Sequence, residues 1–233
     1  MVTEQLRTAI ECGTYEIKGQ FTFGSNYTFL VAVNHEGSEY PAVYKPLRGE
    51  QPLWDFPENT LAGREVAAYL VSEYLGFHFV PFTTLRQDGP FGAGSLQQYI
   101  EYDPEYHYFS FSDEDRQLLK PVVFFDMLCN NADRKGSHVF FENGTHKLYA
   151  IDHGICFHED DKLRTVLWDF SGQKIPQDLL ASLSGIKNLF PSLELYLSRR
   201  ELSALSARAE SILKRGVFPR QPRDRRALPW PPL

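Results

Sequence analysis

The 233-residue sequence predicts an α+β protein of two lobes, a β-rich N-lobe followed by an α-rich C-lobe. Three observations lead there. The first hundred residues carry short alternating apolar runs separated by turn residues, the signature of antiparallel strands. From about Tyr102 the apolar residues recur at helical spacing. A hydrophobic content of 42% with 14% aromatics is enough to build a substantial core. The expected divisions are an N-terminal lobe over 1–103, a C-terminal lobe over 104–215 and a Pro/Arg-rich tail over 216–233.

Residues 15–23 alternate loosely, as a strand does. Strands over 27–33 and 40–45 flank a turn at Asn34-His35-Glu36-Gly37. A helix is expected from Asn59 as N-cap to Gly76 as stop, with Ala67, Leu70, Val71, Tyr74 and Leu75 as its apolar stripe. A second hairpin should pair 79–85 with 95–100 around Gln87-Asp88-Gly89-Pro90. Asp113-Glu114-Asp115 opens a helix running to the Asn130-Asn131 pair, with Pro121 a kink or break. Residues 139–151 form a hairpin turning at Asn143-Gly144. After an irregular stretch anchored by Trp168 and Phe170, helices resume over 177–183 and 198–215.

Composition excludes several classes. No apolar run approaches the roughly 18 residues that span a bilayer, so no integral membrane segment is expected. Residues 1–5 lack the basic and apolar stretches of a signal peptide. Cys12, Cys129 and Cys156 have no metal-like spacing and suit a reducing, cytoplasmic setting. Residues 214–226 carry a local charge of +5, which leaves −11 on the rest of a chain whose total is −6. An acidic body argues against nucleic acid as a partner. The tail, interrupted by Pro219, Pro222, Pro229, Pro231 and Pro232, is expected to be extended or flexible and to lie outside any cleft.

The chemistry concentrates in 130–154. Asp133 is followed five residues later by His138, and fourteen residues further on by Asp152 in Ile151-Asp152-His153-Gly154. The hairpin between them would bring His138 and Asp152 to one end, facing one site. Phosphoryl transfer needs such parts: a carboxylate to orient a hydroxyl, and ligands for a divalent cation on the phosphates. Upstream, Lys45 closes a strand and Glu65 stands on the following helix, where the glutamate can fix the ammonium that holds the phosphates. Gly24-Ser25-Asn26 is small enough to cover phosphates with backbone N–H groups, or is an ordinary turn. Gln98-Tyr99-Ile100, where the chain passes between lobes, offers backbone to an adenine edge. Arg134 and Lys135 either neutralise γ-phosphate charge or pair with local acids. His138 and Asp152 are the metal candidates. Because Mg²⁺ prefers oxygen, a histidine points to Mn²⁺ tolerance, a water-mediated contact or a weakened enzyme, and Asn130 or Asn131 could supply an oxygen instead.

These residues resemble the phosphatidylinositol 3/4-kinase-like superfamily, most closely the type II phosphatidylinositol 4-kinase branch and its small bacterial members. The likeness runs in order over about residues 20–180. It includes Gly24-Ser25-Asn26-Tyr27-Thr28-Phe29, Val43-Tyr44-Lys45-Pro46, Arg64-Glu65-Val66-Ala67-Ala68-Tyr69-Leu70-Val71, Leu75-Gly76 and Val80-Pro81, then Asp133-Arg134 and Ile151-Asp152-His153-Gly154. The resemblance implies a protein-kinase-like fold, ATP with Mg²⁺ or Mn²⁺, phosphate binding by Lys45, catalysis by Asp133 and metal binding by Asp152. The sequence departs from that family in having His138 where asparagine is usual and His153 where Phe or Asn stands, and it shows no cysteine-rich, lipidatable segment. The phosphoryl acceptor is therefore expected to be a protein or small molecule rather than an inositol lipid. The alternatives are a nucleotide-binding pseudokinase and nucleotidyl transfer on the same scaffold.

Overall fold

The computed structural model describes residues 3–21 and 26–233. Helix α1 (Glu4–Cys12), not among the expected elements, is capped by the Thr3 hydroxyl and packs Ala9 and Ile10 against the sheet behind it. Strands β1 (Thr14–Phe21), β2 (Thr28–His35) and β3 (Ser38–Pro46) follow, then α2 (Leu61–Tyr74), β4 (Thr83–Gly89) and β5 (Gly92–Gln98). All neighbouring strands pair antiparallel in the order β1-β2-β3-β5-β4. The β2–β3 turn puts Glu36 and Gly37 at positive φ, as a tight hairpin requires.

Two elements are displaced from their expected positions, each for a local reason. The strand expected over 79–85 begins only at Thr83. Pro81 cannot donate to a ladder, and Phe79, Val80 and Phe82 are instead buried in the core. Its partner shifts with it and ends at Gln98, so Ile100 leaves the sheet. Asn59 does not cap α2, because its backbone is left-handed at φ +59°. The Glu50 carboxylate takes that place, accepting the N–H groups of Leu61 at 3.2 Å and Ala62 at 2.8 Å.

The C-lobe contains α3 (Asp113–Gln117) and α4 (Lys120–Cys129), then β6 (Val139–Phe141) paired with β7 (Leu148–Ala150). Pro121 sits in the first turn of α4, where its missing N–H costs nothing, so the expected long helix is two. Helices α5 (Gln177–Ser182), α6 (Phe190–Leu193) and α7 (Arg199–Arg215) complete it, α7 being opened by a Ser198–Glu201 capping box. One hydrophobic cluster joins both lobes, with Phe79 and Phe125 edge-to-face at 5.2 Å. A smaller one, Ile100, Phe140 and Tyr149, lies where the chain crosses between them.

The tail is an extended segment that packs on the C-lobe. Phe218 is buried in the core, and the carbonyls of Phe218, Ala227 and Pro232 accept backbone N–H groups of Gly172, Thr165 and Gly136. Proline excludes a helix there, but carbonyls of an extended chain still accept, and the C-lobe supplies the donors.

Candidate active site

The sheet, α2 and the loop after β7 converge on one ammonium. Lys45 Nζ donates to Glu65 Oε1 at 2.5 Å and to Asp152 Oδ1 at 2.9 Å. Lys45 reaches there from the end of β3. Glu65 is directed inward by the buried face of α2, and its Oε2 accepts the His153 N–H at 2.9 Å. Burial works against the Lys45 charge, but Asp152 and Glu65 outweigh it and raise its pKa. An ammonium has three donors, and two are used here.

Asp152 stands at φ +63°, a left-handed conformation that Asp tolerates better than most residues. Its side chain is 48% exposed and bridges Lys45 and His138, whose Nε2 lies 3.1 Å from Oδ2. Enclosure alone would push this carboxyl up, but Lys45 holds it well below the usual carboxylate range. Burial brings the His138 imidazole down to about 4 against the pull of Asp152, so the ring is neutral near pH 7. Its Nδ1 faces the Lys135 N–H at 3.5 Å, which leaves the proton on Nε2 and directs it to Asp152. In that tautomer His138 donates to Asp152 and orients it.

Asp133 lies in the loop after α4, with Lys135 Nζ 3.6 Å from its Oδ2. Burial raises its carboxyl to about 6, with Lys135 opposing and Asp152 adding to the rise. Arg134, next to it, points the other way and is wholly buried. Its five N–H donors are all taken. Nε and Nη2 grip the two Asp126 oxygens at 2.9 Å each, Nη1 serves the carbonyls of His138 and Ile151, and Nη2 also reaches His153 Nε2 at 2.7 Å. No donor remains for a phosphate, so Arg134 pairs with a local acid and is not a catalytic group. Because Arg134 can only donate, His153 Nε2 accepts, and its Nδ1–H is left without a partner, 4.0 Å from Glu65 Oε2.

Other expected residues fall away from this cluster. Asn131 spends its side chain on Asp126 and the Asp133 N–H, and Asn130 spends its own on the backbone of 158–162, so neither supplies a metal oxygen. The Gln98 and Tyr99 N–H groups donate to Phe82 and Pro41, so of their backbone groups only the carbonyls could face an adenine edge, and Ile100 is buried. Asn26 Oδ1 accepts from the Gln51 N–H at 2.7 Å, and Gly24 and Ser25 lie outside the described residues. Sequence reasoning missed Arg64, fully buried beside Glu65, which donates to Cys156 O at 2.6 Å and pairs with Glu201 of α7. Its only signal was adjacency to Glu65.

No three His, Cys, Asp or Glu side chains converge as a metal cage among the described residues. A nucleotide-bound cation does not require one, since it takes most ligands from phosphates and water. Asp152, half exposed with lone pairs to spare, fits that demand.

No protein-family profile matches the chain. It is 35% identical to the protein Rv2133c of Mycobacterium tuberculosis, over 94% of this chain and 92% of that protein. The chain belongs to the Rv2133c family. For this family member, similarity of fold extends to two solved structures. One is the Helicobacter pylori proinflammatory kinase CtkA, at a TM-score of 0.55 and 12% identity over 90% of this chain and 94% of that one. The other is a Golgi casein kinase, at 0.56 and 16% over 92% and 75%. The fold is thus the two-lobed kinase-like one, with Lys45 and Glu65 on its N-lobe and Asp133 and Asp152 on its C-lobe. These neighbours support a kinase-like fold and do not single out the phosphatidylinositol 3/4-kinase branch. Among the described residues no helix is long and apolar enough to cross a membrane.

Proposed function

We propose that this protein is an ATP-dependent phosphotransferase that moves the γ-phosphoryl group to a hydroxyl, with a divalent cation on the nucleotide. One observation carries the proposal: Lys45 Nζ is bonded at once to Glu65 and to Asp152, joining strand, helix and C-lobe acid through one ammonium. The third Lys45 donor is available to the α- and β-phosphates. Asp152 would hold Mg²⁺ or Mn²⁺, with His138 fixing its orientation, and the cation would neutralise charge on the phosphates. Asp133, its carboxyl near 6, is suited to take the acceptor proton at neutral pH. Lys135 takes the γ-phosphate role that the sequence left shared with Arg134, since its ammonium lies beside Asp133. Motif order supports a place near the phosphatidylinositol 3/4-kinase-like superfamily. An acidic body favours a protein or small-molecule acceptor over an inositol lipid.

A thermal-shift screen of ATP, ADP and GTP with Mg²⁺ or Mn²⁺ tests this, since a ligand at 100 times its Kd stabilises by about 2.7 kcal/mol. A nucleotide shift lost in Lys45→Met, followed by gain of one phosphoryl mass on an added acceptor, is the expected result. The absence of a shift with every nucleotide overturns the proposal. A nucleotide-binding module without transfer is the second reading. It is favoured by His138, which donates to Asp152 where a second oxygen ligand would be expected, and a shift without any phosphoryl mass gain would identify it.

A further inference from the structure

The segment after α7 does more than close the C-lobe. Arg225 donates to Leu163 O and to both oxygens of Asp161, each at 2.9 Å, and Ala227 O accepts from Thr165 at 3.1 Å. These contacts lie on the stretch that follows Asp152. Pro232 O then accepts the Gly136 N–H at 2.8 Å, three residues from Asp133. The approach is close enough that a Cβ on Gly136 would meet the Phe109 ring at 2.6 Å and Leu233 at 3.5 Å. The strap thus runs along the C-lobe to the loop that carries Asp133.

Its charge is unbalanced. Lys214, Arg215, Arg220, Arg223 and Arg226 are exposed, and among the described residues none forms an ion pair with a carboxylate, whereas Arg225 is paired with Asp161. The rest of the chain is acidic, so this is where an anion would be drawn. Arg225, Arg226, Leu228, Pro229 and Trp230 line an open concavity of about 420 Å³, and Trp230 is 77% exposed. An exposed indole beside an exposed guanidinium offers both packing and charge.

We propose that this strap is the acceptor-docking surface and that it takes an acidic peptide segment. The proposal rests on the phosphotransfer reading for its word "acceptor", though the surface itself does not. Chain reach decides for a peptide. At ~3.5 Å per residue, Trp230 lies within about 20 Å of Asp133, a distance an extended peptide covers in roughly six residues. The cations are also strung over 214–226 rather than gathered at one point, which matches several carboxylates in a row better than one phosphate. Acidic residues several positions from the reacting serine or threonine would engage Arg223, Arg226 and Trp230.

The test uses the full chain and three labelled serine peptides differing only in a flanking run of Glu, Gln or Lys. Anisotropy titrations should show the Glu peptide binding roughly tenfold tighter than the Gln peptide, an advantage lost in about 0.5 M salt. The Arg223→Ala/Arg226→Ala double variant should weaken Glu-peptide binding about fivefold or more, and Trp230→Ala less. The same variants should keep the ATP-induced thermal shift and, in transfer assays, raise KM for the peptide with little change in kcat. Equal binding of Glu and Gln peptides overturns the proposal, as does a double variant that binds like the parent. Capture by phosphatidylserine vesicles in preference to the Glu peptide also overturns it, in favour of a membrane surface. Peptide binding without any ATP-induced shift supports the surface and overturns the phosphotransfer reading instead.

Discussion

Two charged regions of this protein lie back to back, and neighbours in sequence are divided between them. Glu65, Asp133 and Asp152 belong to the cleft around Lys45. Arg64, Arg134 and His153, each adjacent to one of them, belong to a network beneath it. In that network bonding capacity is nearly used up, with only the His153 Nδ1–H left over. Arg134 spends all five donors on Asp126, His153 and two carbonyls, and Arg64 is fixed to Glu201 and Cys156 O. In the cleft, capacity is left over, as a third Lys45 donor, spare lone pairs on a half-exposed Asp152, and an Asp133 carboxyl raised by burial. Charges satisfied by the protein are scaffold, and charges left partly unsatisfied are where a ligand belongs.

The largest effect should come from breaking the lower region. Arg134→Ala leaves Asp126 buried and unpaired, and loss of one partner of such a pair costs about 3–5 kcal/mol. Arg134→Lys should not rescue it, because three donors cannot replace a five-donor fork. Urea denaturation checks both. Normal stability with lost turnover would move Arg134 back into the cleft.

Asp152→Asn should do the reverse. Stability should change by less than about 1 kcal/mol, since the side chain is half exposed, while turnover falls by roughly 10²–10³. Denaturation and steady-state rates on one preparation separate the two effects.

Asp133→Asn should lose turnover by about 10² and yet gain stability. The folded carboxyl binds its proton more tightly than the unfolded one, about 6 against an ordinary 3.8. Stability is therefore lost as pH rises from about 4 to 6, and the asparagine variant escapes that loss, by about 2–3 kcal/mol at pH 7. Its advantage should vanish below pH 4. In the parent protein, kcat/KM should rise through pH 6 and then level. A melting temperature at pH 7 no higher than the parent's would count against an Asp133 carboxyl raised by desolvation.

The smallest effect is expected at His138. An asparagine amide can still donate to Asp152, so His138→Asn should change turnover only a few-fold. A collapse to the level of Asp152→Asn would show that the imidazole itself holds the cation.

Much of this was legible from residue types and spacing. Local hydrophobic period and turn chemistry gave β2, β3, α2 and the β6–β7 hairpin, because those signals act within a few residues. Hairpin pairing at Asn143-Gly144 likewise brings His138 to Asp152, and helix spacing turns Glu65 inward. The sequence by itself determined the two-lobed class and the pairing of Lys45 with Glu65, but not that Asp152 joins the same ammonium. It could not say which of two adjacent charged residues faces the cleft. At Asp133-Arg134 the order of acid and base is visible, but the choice of Asp126 as partner depends on how α4 packs against the loop. Similarly, Glu50 displaces Asn59 as the cap of α2, and the strap reaches Gly136 from nearly a hundred residues away in the chain. These are pairings between groups distant in sequence, and only the tertiary structure decided them, because burial obliges each polar group to find a partner wherever packing has put one.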